Sequence, residues 1–266
     1  THTTSQVFSC GGSMNQRWKK HRTSYRPKGE PINTARYGVE PIPDDRTAKD
    51  FVRTHHYSGS YPAARFRYGL FRMKQLVGVA VFSQPMNQRT IPKFADAPGV
   101  ELGRFVLLDD VEANGETWFL ARAFKLLKQA MPDLGVVIAY SDPIERHNCF
   151  DELVKPGHIG TIYKAFNGNY CGRARAENLV LDDNGFVISR RTISKLRNDE
   201  RGADAAYRQL INRGAPRRKR LEGGRDYVTR ALESFRRLKH PGNLSYAWPI
   251  GGAELKIPSL PYPQTT

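Results

Sequence analysis

Residues 134–172, LGVVIAYSDPIERHNCFDELVKPGHIGTIYKAFNGNYCG, decide how the chain is read. The stretch opens on a continuous apolar run, Leu134 to Tyr140, rich in valine and isoleucine and bounded by turn formers. A run of that length and composition predicts a buried strand rather than a helix. It ends at Ser141-Asp142-Pro143. Open α/β sheets place their sites just beyond the carboxyl ends of such strands, which makes Ser141 and Asp142 candidate catalytic residues. After a polar loop come His158, Thr161, Tyr163, Asn167 and Tyr170, so hydroxyl, imidazole, carboxylate and amide groups are denser here than elsewhere in the chain. The plainer reading is an ordinary polar loop in which Tyr163 and Tyr170 are core tyrosines with satisfied hydroxyls.

Upstream, Glu116 to Met131 carries Trp118, Phe119, Ala121, Ala123, Leu126 and Leu127 at helical spacing with Lys125 and Lys128 outside, and Glu101 to Leu108 reads as a strand. Strand, helix and strand in that order predict two parallel neighbours joined by a right-handed crossover. Residues 65–71 and 76–82 alternate around Met73-Lys74-Gln75 and predict a hairpin. A short helix is predicted from about Asp45 to Ser58-Gly59, with Ala48, Phe51 and Val52 on one face and His55-His56-Tyr57 at its end. A histidine there also suits the helix dipole. Residues 1–44, rich in Thr, Ser, Gly, Pro and basic side chains, predict an irregular arm with its densest cluster at Arg17-Trp18-Lys19-Lys20-His21-Arg22. Downstream, Asp183-Asn184-Gly185 is a hairpin turn signal between 178–181 and 186–189. Helices are predicted at about 203–212 and 224–236, giving a helical C-terminal extension over 201–266 whose Tyr246 and Trp248 pack back on the body.

No apolar run in the 266 residues approaches the length needed to span a bilayer, and no N-terminal basic-then-apolar pattern marks a signal peptide. Cys10, Cys149 and Cys171 are odd in number and lack CxxC spacing, which predicts free thiols, no structural zinc and a reducing, cytoplasmic setting without membrane contact. The charge is the strongest global signal. Against 26 Asp and Glu stand 42 Lys and Arg, a formal +16. An excess of that size predicts a polyanionic partner, nucleic acid first, with Lys19, Lys20, Arg217, Arg218, Lys219 and Arg220 as candidate phosphate contacts.

Several segments resemble the Mom family of phage DNA-modification proteins: His56-Tyr57-Ser58-Gly59, Gly78-Val79-Ala80-Val81-Phe82, Glu101-Leu102-Gly103-Arg104-Phe105, Ser141-Asp142, and Gly157-His158-Ile159-Gly160-Thr161-Ile162-Tyr163-Lys164-Ala165 with Asn167, Tyr170 and Gly172. The resemblance implies an α/β (α+β), GNAT-like acyltransferase fold over about 45–200, a mixed central sheet flanked by helices with N- and C-terminal extensions. It also implies conversion of adenine in double-stranded DNA to its N6-carbamoylmethyl form, which shields phage DNA from restriction. On that reading His56, Tyr57, Ser141, Asp142, Tyr163 and Tyr170 are catalytic, and Glu101, Arg104, His158, Thr161 and Asn167 bind substrate or donor. Asp142 is then the candidate general base with Ser141 orienting it, and the two tyrosines protonate a leaving group or stack on the base. His56, Asp142 and His158 also carry the ligand types of a two-histidine, one-carboxylate iron site.

One departure bears on the donor. Where GNAT enzymes carry a glycine-rich pyrophosphate loop, this chain has Glu112-Ala113-Asn114-Gly115-Glu116-Thr117, with one glycine and two carboxylates that repel phosphate. That argues against coenzyme A and leaves the donor open. Reaching N6 in a duplex requires flipping the base, for which Tyr61, Phe66 and Trp248 are aromatic candidates. Two competing classes stand beside this one: a GNAT-like N-acetyltransferase acting on a protein or small molecule, which leaves +16 unexplained, and a non-enzymatic DNA-binding protein, which leaves the polar strand end unexplained.

Overall fold

The structure, a computed structural model, describes residues 14–19 and 22–27 as strand backbone and residues 30–264 in full. Seven strands make one mixed sheet with helices against it, the α/β class expected. The chain forms two compact units that divide inside the strand after Leu134: one takes residues up to Pro92 and Ala97–Val137, the other Lys93–Asp96 and Ile138 onward.

The first unit is an antiparallel meander. It contains β1 (Met14–Lys19), β2 (Arg22–Pro27), β3 (Tyr37–Pro41), α1 (Asp45–His55), β4 (Ala64–Arg72), β5 (Gln75–Ser83), β6 (Gly99–Leu107) and α3 (Gly115–Ala130), while the division falls within the short α2 (Ile91–Phe94). Strands β3 to β6 pair in sequence order with β3 at the edge, and β1 pairs with β2 as a separate ribbon. The β4–β5 turn closes on Met73 and Lys74, both left-handed at φ 48° and 74°, the backbone that a two-residue hairpin demands. Asp44 caps α1 by accepting the Thr47 N–H at 2.7 Å. The buried face of that helix, Ala48 and Val52, packs with Ile42, Val79, Val81 and Val106. In α3 the buried stripe is Phe119, Leu120, Ala123, Phe124 and Leu127.

The second unit contains β7 (Val136–Ser141), β8 (Arg146–His147), β9 (Leu153–Lys155), α4 (Thr161–Ala165), β10 (Asn169–Arg173), β11 (Glu177–Leu181), α5 (Arg190–Arg197), α6 (Ala203–Ile211), α7 (Gly224–Ala231), β12 (Arg236–His240) and β13 (Leu244–Pro249). In the sheet β13 lies between β7 and β10, paired antiparallel with β10. Between β10 and β13 the chain makes a long excursion, in which β11 pairs with β12 and three helices close a separate core of Val180, Ile188, Leu196, Leu210, Tyr227, Val228 and Phe235.

The sequence reading needs correction at four places. Part of 1–44 is strand: β1 and β2 pair with each other, and β3 takes the free edge of β4, a pairing that its mixed composition does not announce. The end of the chain is not purely helical, since β13 is buried at five of its six residues as an interior strand. The Asp183-Asn184-Gly185 turn forms, but only one bridge, Leu181 to Val187, follows it, because β12 claims β11 along its length. The helix expected over 224–236 stops at Ala231, continues as a 3-10 turn over Leu232–Ser234 and passes into β12.

Leu210 is fully buried in the excursion's core. Leu210→Ala removes its packing and leaves a cavity, so chemical denaturation should report a loss of about 2–5 kcal/mol.

Candidate functional site

Because β7 is buried from Val136 to Ala139, its polar side chains are confined to its carboxyl end, Tyr140, Ser141 and Asp142. There the second unit builds a charge cluster. Asp142 Oδ1 faces His240 Nε2 at 2.9 Å and accepts the Ile144 backbone N–H at 3.1 Å. Asp142 Oδ2 faces Lys155 Nζ at 3.2 Å and Arg146 at 3.5 Å. The Lys155 side chain is 1% exposed and also donates to the Asp142 and Ile144 carbonyls, both at 2.9 Å. Three ammonium protons thus meet three acceptors.

The electrostatics follow from burial and these partners. Burial pushes Lys155 down to about 8, with the Asp142 carboxylate working against it. Burial pushes Asp142 up, but Lys155, the His240 bond and Arg146 outweigh it and hold the carboxyl below its ordinary range, so it is ionised at neutral pH. Burial, with Lys155 adding to it, pushes His158 down to about 4 and keeps its imidazole neutral. His240 Nδ1 accepts the Gly242 N–H at 3.0 Å, which assigns the proton on Nε2 to the Asp142 bond. Arg146 Nε is buried with no hydrogen-bond partner among the described residues, a spare donor beside an ionised carboxylate.

The glycines of the dense stretch serve close approach. A Cβ on Gly157 would lie 2.2 Å from the Pro143 carbonyl oxygen, and one on Gly160 2.7 Å from the Tyr246 ring. His158 is tied to the cluster by its backbone N–H, which donates to the Asp142 carbonyl at 2.9 Å. Tyr163 stands 5.2 Å from Tyr246 and edge-on to Trp248, and Tyr170 lies 5.5 Å from Tyr246, with both half-buried. Tyr246, pushed up to about 12 by burial, reaches Ser141 and donates to the Ile159 carbonyl. Thr161 and Asn167 are exposed, Asn167 in a left-handed conformation. Lys155, Arg146 and His240 were not among the candidates read from sequence. Lys155 is flanked by Leu153-Val154 and Pro156-Gly157, an apolar setting that hints at burial, whereas nothing local marks His240, 98 residues beyond its partner.

The first unit gathers its own candidates. His56 Nδ1 meets Ser58 Oγ at 2.9 Å, and its ring stacks on Tyr57 at 4.3 Å. Arg104 donates to the Ser60 carbonyl at 2.9 Å and to Ser60 Oγ at 2.6 Å, fastening the segment after α1 to β6. Glu101 is pushed up by burial, with Arg104 opposing. At the start of α3 the amide that a phosphate would seek is taken: the Ala113 N–H donates to Glu30 Oε2 at 2.9 Å, and Asn114 Nδ2 to the Glu30 carbonyl at 3.2 Å. With Glu112 alongside, bonded to the Tyr37 hydroxyl, this end of α3 does not fit a pyrophosphate. Nor do the described residues group three or more His, Cys, Asp or Glu side chains for a metal ion, His56, Asp142 and His158 included. Arg217, Arg218, Lys219 and Arg220 are exposed on the loop between α6 and α7; Lys20 and the Lys19 side chain lie outside the described residues. Among the described residues no helix is long and apolar enough to cross a membrane.

The sequence pattern of the Mom protein family matches residues 36–224. A curated relative, the methylcarbamoylase mom of Escherichia phage Mu, is 25% identical over 140 residues, which cover 51% of this chain and 54% of that protein. The chain thus spans about half the length of the curated relative that it matches. Similar solved structures include a tandem GNAT protein from the clavulanic acid biosynthesis pathway, with 11% identity, 82% of this chain and 100% of that one covered, and a TM-score of 0.41. A GCN5-related N-acetyltransferase from Kribbella flavida gives 13%, 84% and 57%, with a TM-score of 0.34.

The lowered His158 pKa sets a pH window. Between the ordinary value of 6.5 and about 4 the unfolded chain binds the proton that folded His158 refuses, so stability rises with pH across that range and is lost as pH falls through it. Denaturation midpoints of His158→Gln should fall less steeply than wild type from pH 6.5 to 4; equal slopes would remove His158 as a neutral buried group.

Proposed function

Because the chain belongs to the Mom protein family, we infer that it is a phage-type DNA-modifying transferase, that its substrate is adenine in double-stranded DNA, and that it installs a carbamoylmethyl group on N6. The observation that supports the placement of chemistry is the ionised Asp142 at the carboxyl end of β7, beside the half-buried Arg146, whose Nε–H has no hydrogen-bond partner among the described residues. The adenine amine is a weak nucleophile because its lone pair is delocalised into the ring. A carboxylate accepting a hydrogen bond from it raises electron density at nitrogen and takes the proton released as the N–C bond forms and the bond between the carbamoylmethyl carbon and the donor's leaving group breaks, the bonding pair departing with that group. Lys155, Arg146 and His240 lower the proton affinity of Asp142, so they act as positioning residues that keep it charged and fixed, and Asp142 passes the proton on rather than storing it. Arg146 Nε is placed to hold a carbonyl or anionic oxygen of the donor.

Glu30 and Glu112 at the start of α3 favour a donor other than an acyl-coenzyme A. Iron is likewise given no step, since the described residues group no three His, Cys, Asp or Glu side chains that could hold a metal ion. The acetyltransferase reading has the same difficulty at α3.

Plasmid from cells expressing the protein, digested to nucleosides and weighed, should contain a deoxyadenosine heavier by one carbamoylmethyl group; unmodified nucleosides from cells holding soluble protein would exclude the reading in that host. Asp142→Asn keeps the size of the side chain but leaves Lys155 without its counter-charge, so its melting temperature should fall; below that temperature, where it still binds duplex, modification should fall by about 100-fold or more. Millimolar acetyl-coenzyme A should leave the melting temperature of the wild type unchanged, because a ligand that does not bind the native state cannot shift it.

A further inference from the structure

The loop between α6 and α7 is basic, and it is also built. Glu222 accepts both Arg230 Nε and Arg230 Nη2, at 2.8 and 2.7 Å, and its carboxylate takes the Lys219 backbone N–H at 2.8 Å. Arg230 Nη2 donates again to the Arg217 carbonyl at 3.0 Å. Arg218 turns inward, donating to the Glu222 carbonyl at 2.7 Å and pairing with Asp199 at 3.3 Å, while its own backbone N–H donates to the Tyr207 hydroxyl. The remaining cations, Arg217, Lys219 and Arg220, are exposed and make no ion pair among the described residues.

At the tip is a residue with no structural reason to be where it is. Leu221 is 98% exposed, more than any other large apolar side chain among the described residues, and its backbone is left-handed at φ 65°. A leucine avoids both conditions; glycine or asparagine would suit the position, and Gly223 and Gly224 stand only two and three residues on. Strain of this kind, held in place by a locked surround, belongs to working surfaces. The excursion around it, residues 174–243, carries 17 Lys and Arg against nine Asp and Glu, so the face is electropositive.

We propose that residues 217–222 form a pre-organised DNA-docking loop in which Arg217, Lys219 and Arg220 hold backbone phosphates and Leu221 enters the duplex as a wedge that unstacks a base step. The proposal rests on DNA being the substrate, and adds to that reading the group that opens the duplex. The chemistry of the loop matches its task. Cations fix the loop on the phosphates without reading sequence, and an aliphatic side chain inserted between bases weakens the stack that hides adenine N6. The Glu222–Arg230 lock means that little ordering remains to be done on binding.

The test uses the full-length protein and a duplex carrying 2-aminopurine next to an adenine, with fluorescence reporting unstacking and single-turnover modification followed on the same sequence context. Leu221→Gly relieves the left-handed strain, so its melting temperature should equal or exceed that of wild type. It should bind duplex with nearly unchanged affinity, yet lose most of the fluorescence rise and modify about tenfold more slowly. Arg217→Ala, Lys219→Ala and Arg220→Ala together should lower the slope of log affinity against log salt by about 1 for each cation removed. Undiminished fluorescence and rate in Leu221→Gly would overturn the wedge while leaving DNA modification intact. An unchanged salt slope in the triple variant would overturn the docking role. A Leu221-dependent fluorescence rise with no modification by wild type would support the loop and count against the reaction instead.

Discussion

The structure of the second unit depends on the burial of Lys155. An ammonium group taken out of water loses several kcal/mol of hydration even after relaxation, and the loss is offset only if every proton finds an acceptor and a counter-charge lies close. Here the acceptors are two backbone carbonyls, those of Asp142 and Ile144, and the counter-charge is Asp142 itself. The lysine therefore dictates the path of the chain after β7. The 142–144 turn has to present both carbonyls to the ammonium, β9 must deliver the side chain to them, and Gly157 must let the backbone pass within contact of Pro143. Removing either partner would strand the other charge, which costs more than the pair contributes. A site held this way is fixed in geometry at the expense of tolerance to substitution.

Carboxylates are used in two opposite ways in this chain. Asp142 lies beside Lys155 and Arg146 and stays charged in a partly buried place. Glu30 does the reverse, spending its carboxylate on a backbone N–H at the head of α3. An amide there is half of an anion site, and the protein fills it from within.

Much of this was legible in the sequence where a local rule governs. The β4–β5 hairpin, the β6–α3–β7 run, α1, α6 and the beginning of α7 follow from periodicity and turn residues, and Ser141 and Asp142 were marked because an apolar run ends at them. What escaped depends on partners distant in the chain. β13, LSYAWP, mixes a serine, two aromatics and a terminal proline and reads as a tail until β7 and β10 are seen on either side of it. β3 is a strand because β4 offers it an edge. α5 has few apolar residues and two arginines in its first turn, so only the packing of Thr192 and Leu196 reveals it. The hydrogen bond from His240 to Asp142 leaves no trace in spacing, and a left-handed backbone at Leu221 cannot be read from a leucine between arginine and glutamate.

The excursion between β10 and β13 leaves and re-enters the sheet at adjacent strands. Its mouth is drawn shut by the Ala174 N–H donating to the Asn243 carbonyl at 2.7 Å, and by Gly242, where a Cβ would sit 1.9 Å from the Ala174 carbonyl oxygen. Such a mouth is what a detachable cassette requires: cut it away, and β10 and β13 could be joined as a plain hairpin. Yet the last residue of β12, just inside the mouth, is His240. Any exchange of this cassette for another would have to re-supply the imidazole on Asp142 in the same event. The excursion and the charge cluster at the end of β7 are thus inherited together, and that linkage limits how freely this part of the chain can be exchanged.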